Sequence, residues 1–296
     1  MENSSTAINL YQNRSFDENL SAAFSFVRVH AKELGRNLLL VAGPFGLLYI
    51  AFSALFSSEL FNASTGTFSF GSAALLGGLS NLFSAIFNLT IGLVVFLHLK
   101  YLQENQNAEA PSVAYLWQNL PRFILPLVGL AIVIGVGVVA GTFLLIIPGI
   151  YLFVKWSVAL PSLVFANTSV GGALNRSWEL TSENWWKCLG YLVVVGLISA
   201  LIGVAIYLPY LIYGGAQAIF TVSQENAFNT AEGMNWFYVL NVVYSVVAGL
   251  VIYGISYSAI AFLYGSLSEE KESTALLSEI DKVGQKESES TQEGSY

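Results

Sequence analysis

Six long apolar runs separated by short polar segments are the feature that most constrains the fold of this chain. The runs cover, in approximate bounds, residues 37–57, 72–98, 123–147, 150–166, 185–208 and 236–264. A hydrocarbon core about 30 Å thick requires ~20 apolar residues for each helical span. Backbone exposed to lipid must satisfy its own hydrogen bonds, so each run is expected to be helical. The sequence therefore predicts an all-α integral membrane protein with six transmembrane helices.

The basic residues indicate how these spans are oriented. Eleven of the 12 Lys and Arg residues lie in alternate polar segments: Arg14, Arg28, Lys32, Arg36, Lys100, Arg122, Arg176, Lys187, Lys271, Lys282 and Lys286. The intervening segments, around Glu59 and over residues 225–232, contain none. Short loops rich in Lys and Arg stay on the cytoplasmic side. Both termini are therefore expected to be cytoplasmic.

Composition excludes several kinds of protein. The chain is 10% charged, whereas soluble proteins carry about 25% charged residues. No polar segment has room for a soluble catalytic domain, which takes about 50 residues or more. Cys188 is the single cysteine and there are two histidines, so a Cys/His zinc site is excluded by count. We expect an N-terminal tail (1–14), a membrane domain (15–266) and a disordered acidic cytoplasmic tail (267–296).

Amphipathic segments precede the first, third and fifth spans, at residues 15–36, 111–120 and 170–182. The first begins with the capping-box sequence of Ser15 to Glu18. Each segment leads into a pair of spans, which indicates three units of interfacial helix plus transmembrane hairpin. The alternative is that any cytoplasmic loop rich in aromatic residues looks amphipathic, and the sequence leaves both interpretations open.

These segments also supply candidate contacts to lipid headgroups. A basic amphipathic helix lies in the membrane interface, where its cations meet anionic headgroups. The candidates are the basic residues on or beside the first and third segments: Arg28, Lys32, Arg36, Arg176 and Lys187.

Lys155 is the one basic residue that falls inside a span. An ionisable residue at membrane depth is by default a candidate functional site. The alternative, which we favour from sequence, is that its long side chain extends to the outer surface. The outer-loop residues Glu59, Glu225 and Glu232 are within reach in that interpretation.

A stripe of small and polar residues follows one helical face of the second span: Gly77, Asn81, Ser84, Asn88 and Gly92. Small residues permit close helix contact, and asparagine can form hydrogen bonds between helices. The stripe therefore predicts either a packing seam or a path for a polar solute, and the seam is the favoured interpretation.

Breaks in the apolar runs are predicted at prolines and glycines. Pro148-Gly149 is a turn dipeptide and is expected to form the outer turn between spans three and four. Pro121 is expected to end the second amphipathic segment. Pro209 is expected to end the fifth span, which would leave residues 210–222 at the outer interface.

Signatures of enzymes are missing from the sequence. It contains no glycine-rich phosphate loop and no carboxylate pair at membrane depth. We therefore expect no catalytic residue, no metal site and no cofactor. The expected partners are membrane lipids, with a membrane or cytoplasmic protein as a further candidate and no nucleic acid.

Residues 146–156, 173–180 and 184–187 carry a family resemblance. They read IIPGIYLFVKW, ALNRSWEL and NWWK. This pattern resembles the membrane domain fused to some bacterial glycerophosphodiester phosphodiesterases, and related uncharacterised inner-membrane proteins share it. The clear match covers about residues 144–195. In that family the domain occurs with or without a catalytic barrel, and no barrel lies in this sequence, so phosphodiesterase activity is not expected.

The resemblance implies a multi-pass protein of the bacterial cytoplasmic membrane. We expect a non-enzymatic module, acting as a scaffold or accessory on lipid or on a partner protein. The alternative is a passive transporter or channel for a small solute or lipid, with its path along the stripe.

Overall fold

The regular structure of this chain is helical throughout the described residues. A computed structural model describes residues 9–62, 69–105, 110–222 and 231–293. It contains the helices α1 (Phe16–Val29), α2 (Ala31–Val41), α3 (Gly43–Asn62), α4 (Phe70–Glu104), α5 (Val113–Leu144), α6 (Ile146–Lys155), α7 (Ala159–Phe165), α8 (Val170–Ser182), α9 (Trp185–Val222) and α10 (Ala231–Glu293). Among the described residues, five helical segments are long and apolar enough to cross a membrane, and there are six if the bent pair α2–α3 counts as one span. The predicted class, an all-α membrane protein with several spans, is confirmed.

Helix α10 lies at the centre of the bundle. The chain runs antiparallel to it along α2 and α3, where Gly254 faces Leu38 and the Ser53 hydroxyl is 3.1 Å from the Tyr238 hydroxyl. On α4, Gly92 lies directly against the ring of Tyr257. Small side chains allow these close approaches, which replace the hydrophobic driving force that is absent between helices in lipid.

The residues before α1 pack on the far end of α10. The Arg14 N–H donates to the Ser266 hydroxyl at 3.2 Å, and that hydroxyl is 3.3 Å from the Arg14 carbonyl. Leu10 is fully buried and its backbone lies against Gly265. Leu10 is therefore part of the core although it precedes the first helix.

The first amphipathic segment forms two helices that meet at His30. The Ser15 N–H donates to Glu18 Oε2 at 2.9 Å, as the capping-box prediction requires. The second segment differs from its prediction, because α5 continues through Pro121 and Pro126. Residues 111–120 are therefore no separate interfacial helix, and the three predicted units are not alike.

The turn between α5 and α6 lies one turn earlier than predicted. Leu145 alone has extended backbone, with φ −161° and ψ 142°, and α6 begins at Ile146. Pro148 then occupies the first turn of α6, where a missing N–H costs nothing. Gly149 packs against Gly141 of α5, with its Cα 3.2 Å from the position that a Gly141 Cβ would take. Pro148-Gly149 therefore contributes to the α5–α6 hairpin through the close packing of Gly149 against α5, and the turn itself is at Leu145.

The fourth predicted span is broken near its middle. Helix α6 ends at Lys155, residues 156–158 form turns, and α7 begins at Ala159. The sequence holds no proline or glycine at this break, so it could not be located from composition.

The last two long helices extend beyond their predicted ends. Helix α9 passes through Pro209, contrary to the predicted break, because a proline removes a single N–H and neighbouring groups compensate within an apolar bundle. Helix α10 continues past Tyr264 to Glu293, and its residues Leu267 and Ser268 are buried. The predicted tail from residue 267 therefore begins within α10, and its disorder stays a prediction.

Candidate functional site

Helix α8 lies against the break that follows α6 and holds it through hydroxyl groups. Ending α6 leaves the carbonyl of Lys155 without its usual helical partner. The Ser177 hydroxyl donates to this carbonyl at 2.7 Å, and the Thr181 hydroxyl lies at 3.3 Å from it. The same helix thus fixes both the break and the residue that precedes it.

The ammonium group of Lys155 is held by α8 as well. Its Nζ donates to the Ser182 hydroxyl at 2.7 Å, and that hydroxyl donates to the Trp178 carbonyl. The Nζ also lies 4.9 Å from the ring centroid of Trp178 and 5.5 Å from that of Tyr151. Aromatic faces attract a cation at such distances. Lys155 is only 3% exposed.

Trp185, the first residue of α9, completes this surrounding. Its ring stacks on Tyr151 with a centroid distance of 5.9 Å. Its indole nitrogen is buried and has no hydrogen-bond partner among the described residues. We refer to Tyr151, Lys155, Trp178, Ser182 and Trp185 together as the Lys155 site.

This geometry replaces the favoured sequence interpretation of Lys155. The side chain is buried against α8 and does not extend to an outer surface. Among the described residues, it forms no ion pair with a carboxylate. Glu59 is not its partner, while Glu225 and Glu232 lie outside the residues whose side chains are described. Sequence analysis missed Ser182, for which the only signal was its spacing of four from Trp178.

The stripe on α4 is largely occupied by contacts within the bundle. Gly77 lies against the ring of Phe56 and Gly92 against that of Tyr257. The side-chain amides of Asn81 and Asn88 donate to carbonyls of their own helix, at Gly77 and Ser84, each at 2.8 Å. These contacts favour the packing seam, and a solute path along the stripe stays an untested prediction.

The five candidate headgroup contacts separate into two groups. Arg176 pairs with Glu272 at 3.0 Å, and Lys187 pairs with Glu270 at 2.9 Å, so both join their helices to α10. The other three, Arg28, Lys32 and Arg36, are exposed and form no hydrogen bond or ion pair with the described residues. We refer to these three as the basic face.

An apolar groove runs beside the basic face. It lies between α1–α2 and α10 and has a volume of about 420 Å³. Its walls include Val27, Ala31, Leu34 and Leu38 on one side and Leu250 and Gly254 on the other. Each residue of the basic face directly follows a lining residue in sequence, namely Val27, Ala31 or Gly35, so the basic face runs alongside the groove. Nothing in the sequence pattern alone predicted the groove, because α10 is distant in sequence.

Two histidines meet near the start of α2. The rings of His30 and His98 are 5.8 Å apart, and both contact Phe26. Burial lowers the pKa of His30, and the opposing effect of Glu33 is smaller. Neither ring nitrogen of His98 has a partner among the described residues. The described residues contain no cluster of three or more potential metal ligands.

Comparison with known proteins places the chain in a family. No curated protein and no solved structure matches it significantly. The family model for the membrane domain of glycerophosphoryl diester phosphodiesterase matches residues 118–292, which include the Lys155 site and most of α10. This match extends well beyond the residues that carried the resemblance, and it covers more than half of the sequence. The chain therefore belongs to the family of glycerophosphoryl diester phosphodiesterase membrane domains.

Proposed function

We propose that this protein is a non-enzymatic module of the bacterial cytoplasmic membrane that binds anionic phospholipid at the basic face and the adjoining groove. The observation that carries the proposal is an apolar groove alongside three exposed cations that form no ion pair with the described residues. An anionic lipid has the complementary chemistry, since its headgroup is charged and its acyl chain is apolar.

The charges make a substantial contribution in this position. Each basic residue near an anionic membrane surface contributes about 1 kcal/mol, so the three together contribute about 3 kcal/mol. The spans already hold the protein in the bilayer, so this attraction is available for selecting a lipid. Arg176 and Lys187 contribute less, because Glu272 and Glu270 neutralise them.

The groove would bind the acyl chain of the lipid. The lining side chains are apolar, and each buried methylene of an acyl chain contributes about 0.8 kcal/mol. A chain in the groove would lie between α1–α2 and α10 with its headgroup beside Arg28 and Lys32. The module would then hold a particular lipid, for its own assembly or for a partner protein.

Lipid retention tests the basic face. The triple substitution of Arg28, Lys32 and Arg36 to Gln should reduce co-purified anionic phospholipid several-fold, measured by mass spectrometry. The control replaces Lys271, Lys282 and Lys286 with Gln, which removes the same charge elsewhere. Equal lipid content in both variants and in the unchanged protein would refute the proposal.

The groove is tested by filling it. Gly35 lines the groove, and a Cβ added there meets nothing within 4 Å. Gly35→Leu should therefore fold normally and displace the acyl chain. Gly190→Leu is the matched control, because Gly190 of α9 has equally free space and does not line the groove. Unchanged lipid retention in Gly35→Leu would exclude the groove as the acyl-chain site.

Passive transport is the alternative, and the stripe on α4 gives it less support. The Asn88 side-chain oxygen is buried and has no hydrogen-bond partner in the described part of the chain, but Gly77 and Gly92 at the two ends are packed against aromatic rings. Solute flux into vesicles that falls in Asn88→Leu would favour transport over lipid binding.

A further inference from the structure

The Lys155 site has more hydrogen-bond donors than acceptors. The ammonium group has three N–H bonds, and one of them is directed to the Ser182 hydroxyl. The indole N–H of Trp185 is buried without a partner among the described residues. The Ser182 hydroxyl already donates to the Trp178 carbonyl. Both residues with unused donors are neighbours of the Tyr151 ring, because the Lys155 ammonium lies 5.5 Å and the Trp185 ring centroid 5.9 Å from its centroid.

The site also has more positive than negative charge. Burial of an ammonium group carries a large desolvation penalty unless an opposite charge compensates it. Glu179 lies on α8 and Glu183 directly after it, while Glu270 of α10 pairs with Lys187. Glu179 accepts a hydrogen bond from Asn175, Glu183 is exposed, and neither pairs with Lys155. The two ring faces and one hydroxyl leave the charge incompletely compensated.

The surroundings of the site indicate where a compensating group would come from. Ser182 is exposed, and Tyr151 and Trp178 are 41% and 38% exposed although they contact the buried ammonium. The site is therefore open on the side of these rings. Partly exposed Trp and Tyr side chains are typical of the level of lipid headgroups.

We propose that the Lys155 site binds a phosphate oxyanion through the Lys155 ammonium and the Trp185 indole N–H. A phosphate group presents several oxygens and at least one negative charge, so it can accept from separate donors and balance the lysine. The phosphate can belong to a phospholipid headgroup or to inorganic phosphate. The site is formed by α6, α8 and α9, and it is independent of the basic face and groove proposed above.

Calorimetric titration of the full-length protein in maltoside micelles, which contain no phosphate, tests this site. One arm uses inorganic phosphate and the other uses dihexanoylphosphatidylglycerol. Lys155→Met, which keeps most of the side-chain length without its charge, should weaken binding at least tenfold. Trp185→Phe keeps an aromatic ring and removes the indole N–H, so it should weaken binding several-fold and serves as the second variant. Lys271→Met is the control, because Lys271 is exposed and contacts only the Glu179 carbonyl among the described residues.

The outcomes separate the sources of the phosphate and the two proposals. Binding of inorganic phosphate that is lost in Lys155→Met supports the site and assigns it to free phosphate. Binding of the lipid alone, lost in the same variant, supports the site and assigns it to a headgroup. Binding in neither arm, or equal binding by Lys155→Met and the unchanged protein, overturns the inference. The variant with three Gln residues on the basic face should keep this binding.

Discussion

Replacing Gly149 with Ala tests the close packing of the α5–α6 hairpin. An added Cβ would lie 2.8 Å from the Cα and the Cβ of Thr142 and closer still to its hydroxyl oxygen. Side chains can rotate away, but the Thr142 Cα belongs to the backbone of α5. The two helices must therefore move apart. Overpacking of this kind costs about 1–3 kcal/mol.

Gly135→Ala is the matched control for this substitution. Gly135 lies on α5, and a Cβ added there meets nothing within 4 Å. Both variants add one methyl group to a helix, where Ala is favoured over Gly by about 1 kcal/mol. The propensity gain cancels in the comparison, so the difference of about 1–3 kcal/mol reports the contact with Thr142.

Thermal unfolding in detergent measures this difference. For proteins of 150–250 residues, 1 kcal/mol shifts the melting temperature by about 2–4 °C. Gly149→Ala should therefore melt on the order of 5 °C below Gly135→Ala. Adding Thr142→Ala should recover part of the loss, since it removes the hydroxyl but leaves the backbone contact. Equal melting temperatures for the two glycine variants would refute the packing argument.

Three further predictions concern topology, pH and the N-terminal residues. In a Cys188→Ser background, cysteines introduced at Ser64 and Asn229 should react with an impermeant reagent in intact cells, and cysteines introduced at Asn107 and Ser290 should not. Ser64, Asn107 and Asn229 lie outside the described residues. The opposite labelling would refute the predicted orientation. Because burial lowers the pKa of His30, the folded state favours the neutral form of this side chain. The melting temperature should therefore fall as the pH drops below about 6.5, and His30→Gln should reduce this dependence. An unchanged dependence of the melting temperature on pH in His30→Gln would contradict the prediction. Gly265→Ala should displace the N-terminal residues, because its Cβ would meet the backbone of Leu10. The displacement should appear as faster proteolysis before Arg14, with Gly190→Ala as the control.

The spans were predictable because lipid imposes a simple rule on backbone hydrogen bonds. The sequence predictions failed mainly at prolines. Pro121 and Pro209 were expected to break helices, but the helices continue, because neighbouring groups in a membrane bundle compensate for the single N–H that each proline removes. The break at residues 156–158 was missed, because hydroxyl groups of α8 stabilise it and the local sequence has no breaker.

The candidate sites were predictable only as far as local spacing determines them. Arg28, Lys32 and Arg36 follow a spacing of four, and the structure leaves all three exposed. The same reasoning grouped Arg176 and Lys187 with them, but their carboxylate partners lie 96 and 83 residues away on α10. Contacts over such distances have no signature in a single sequence.

The contact between Arg14 and Ser266 has a consequence for biosynthesis. These residues are 252 positions apart, and both hydrogen bonds between them require the last helix. At a synthesis rate of about 5–20 residues per second, the N-terminal residues wait roughly 13–50 s for their partner to be made. During that time every other span can enter the membrane. The docking of Leu10 beside Gly265 therefore marks a late step of assembly, and a protein truncated before Gly265 would leave its N-terminal segment undocked.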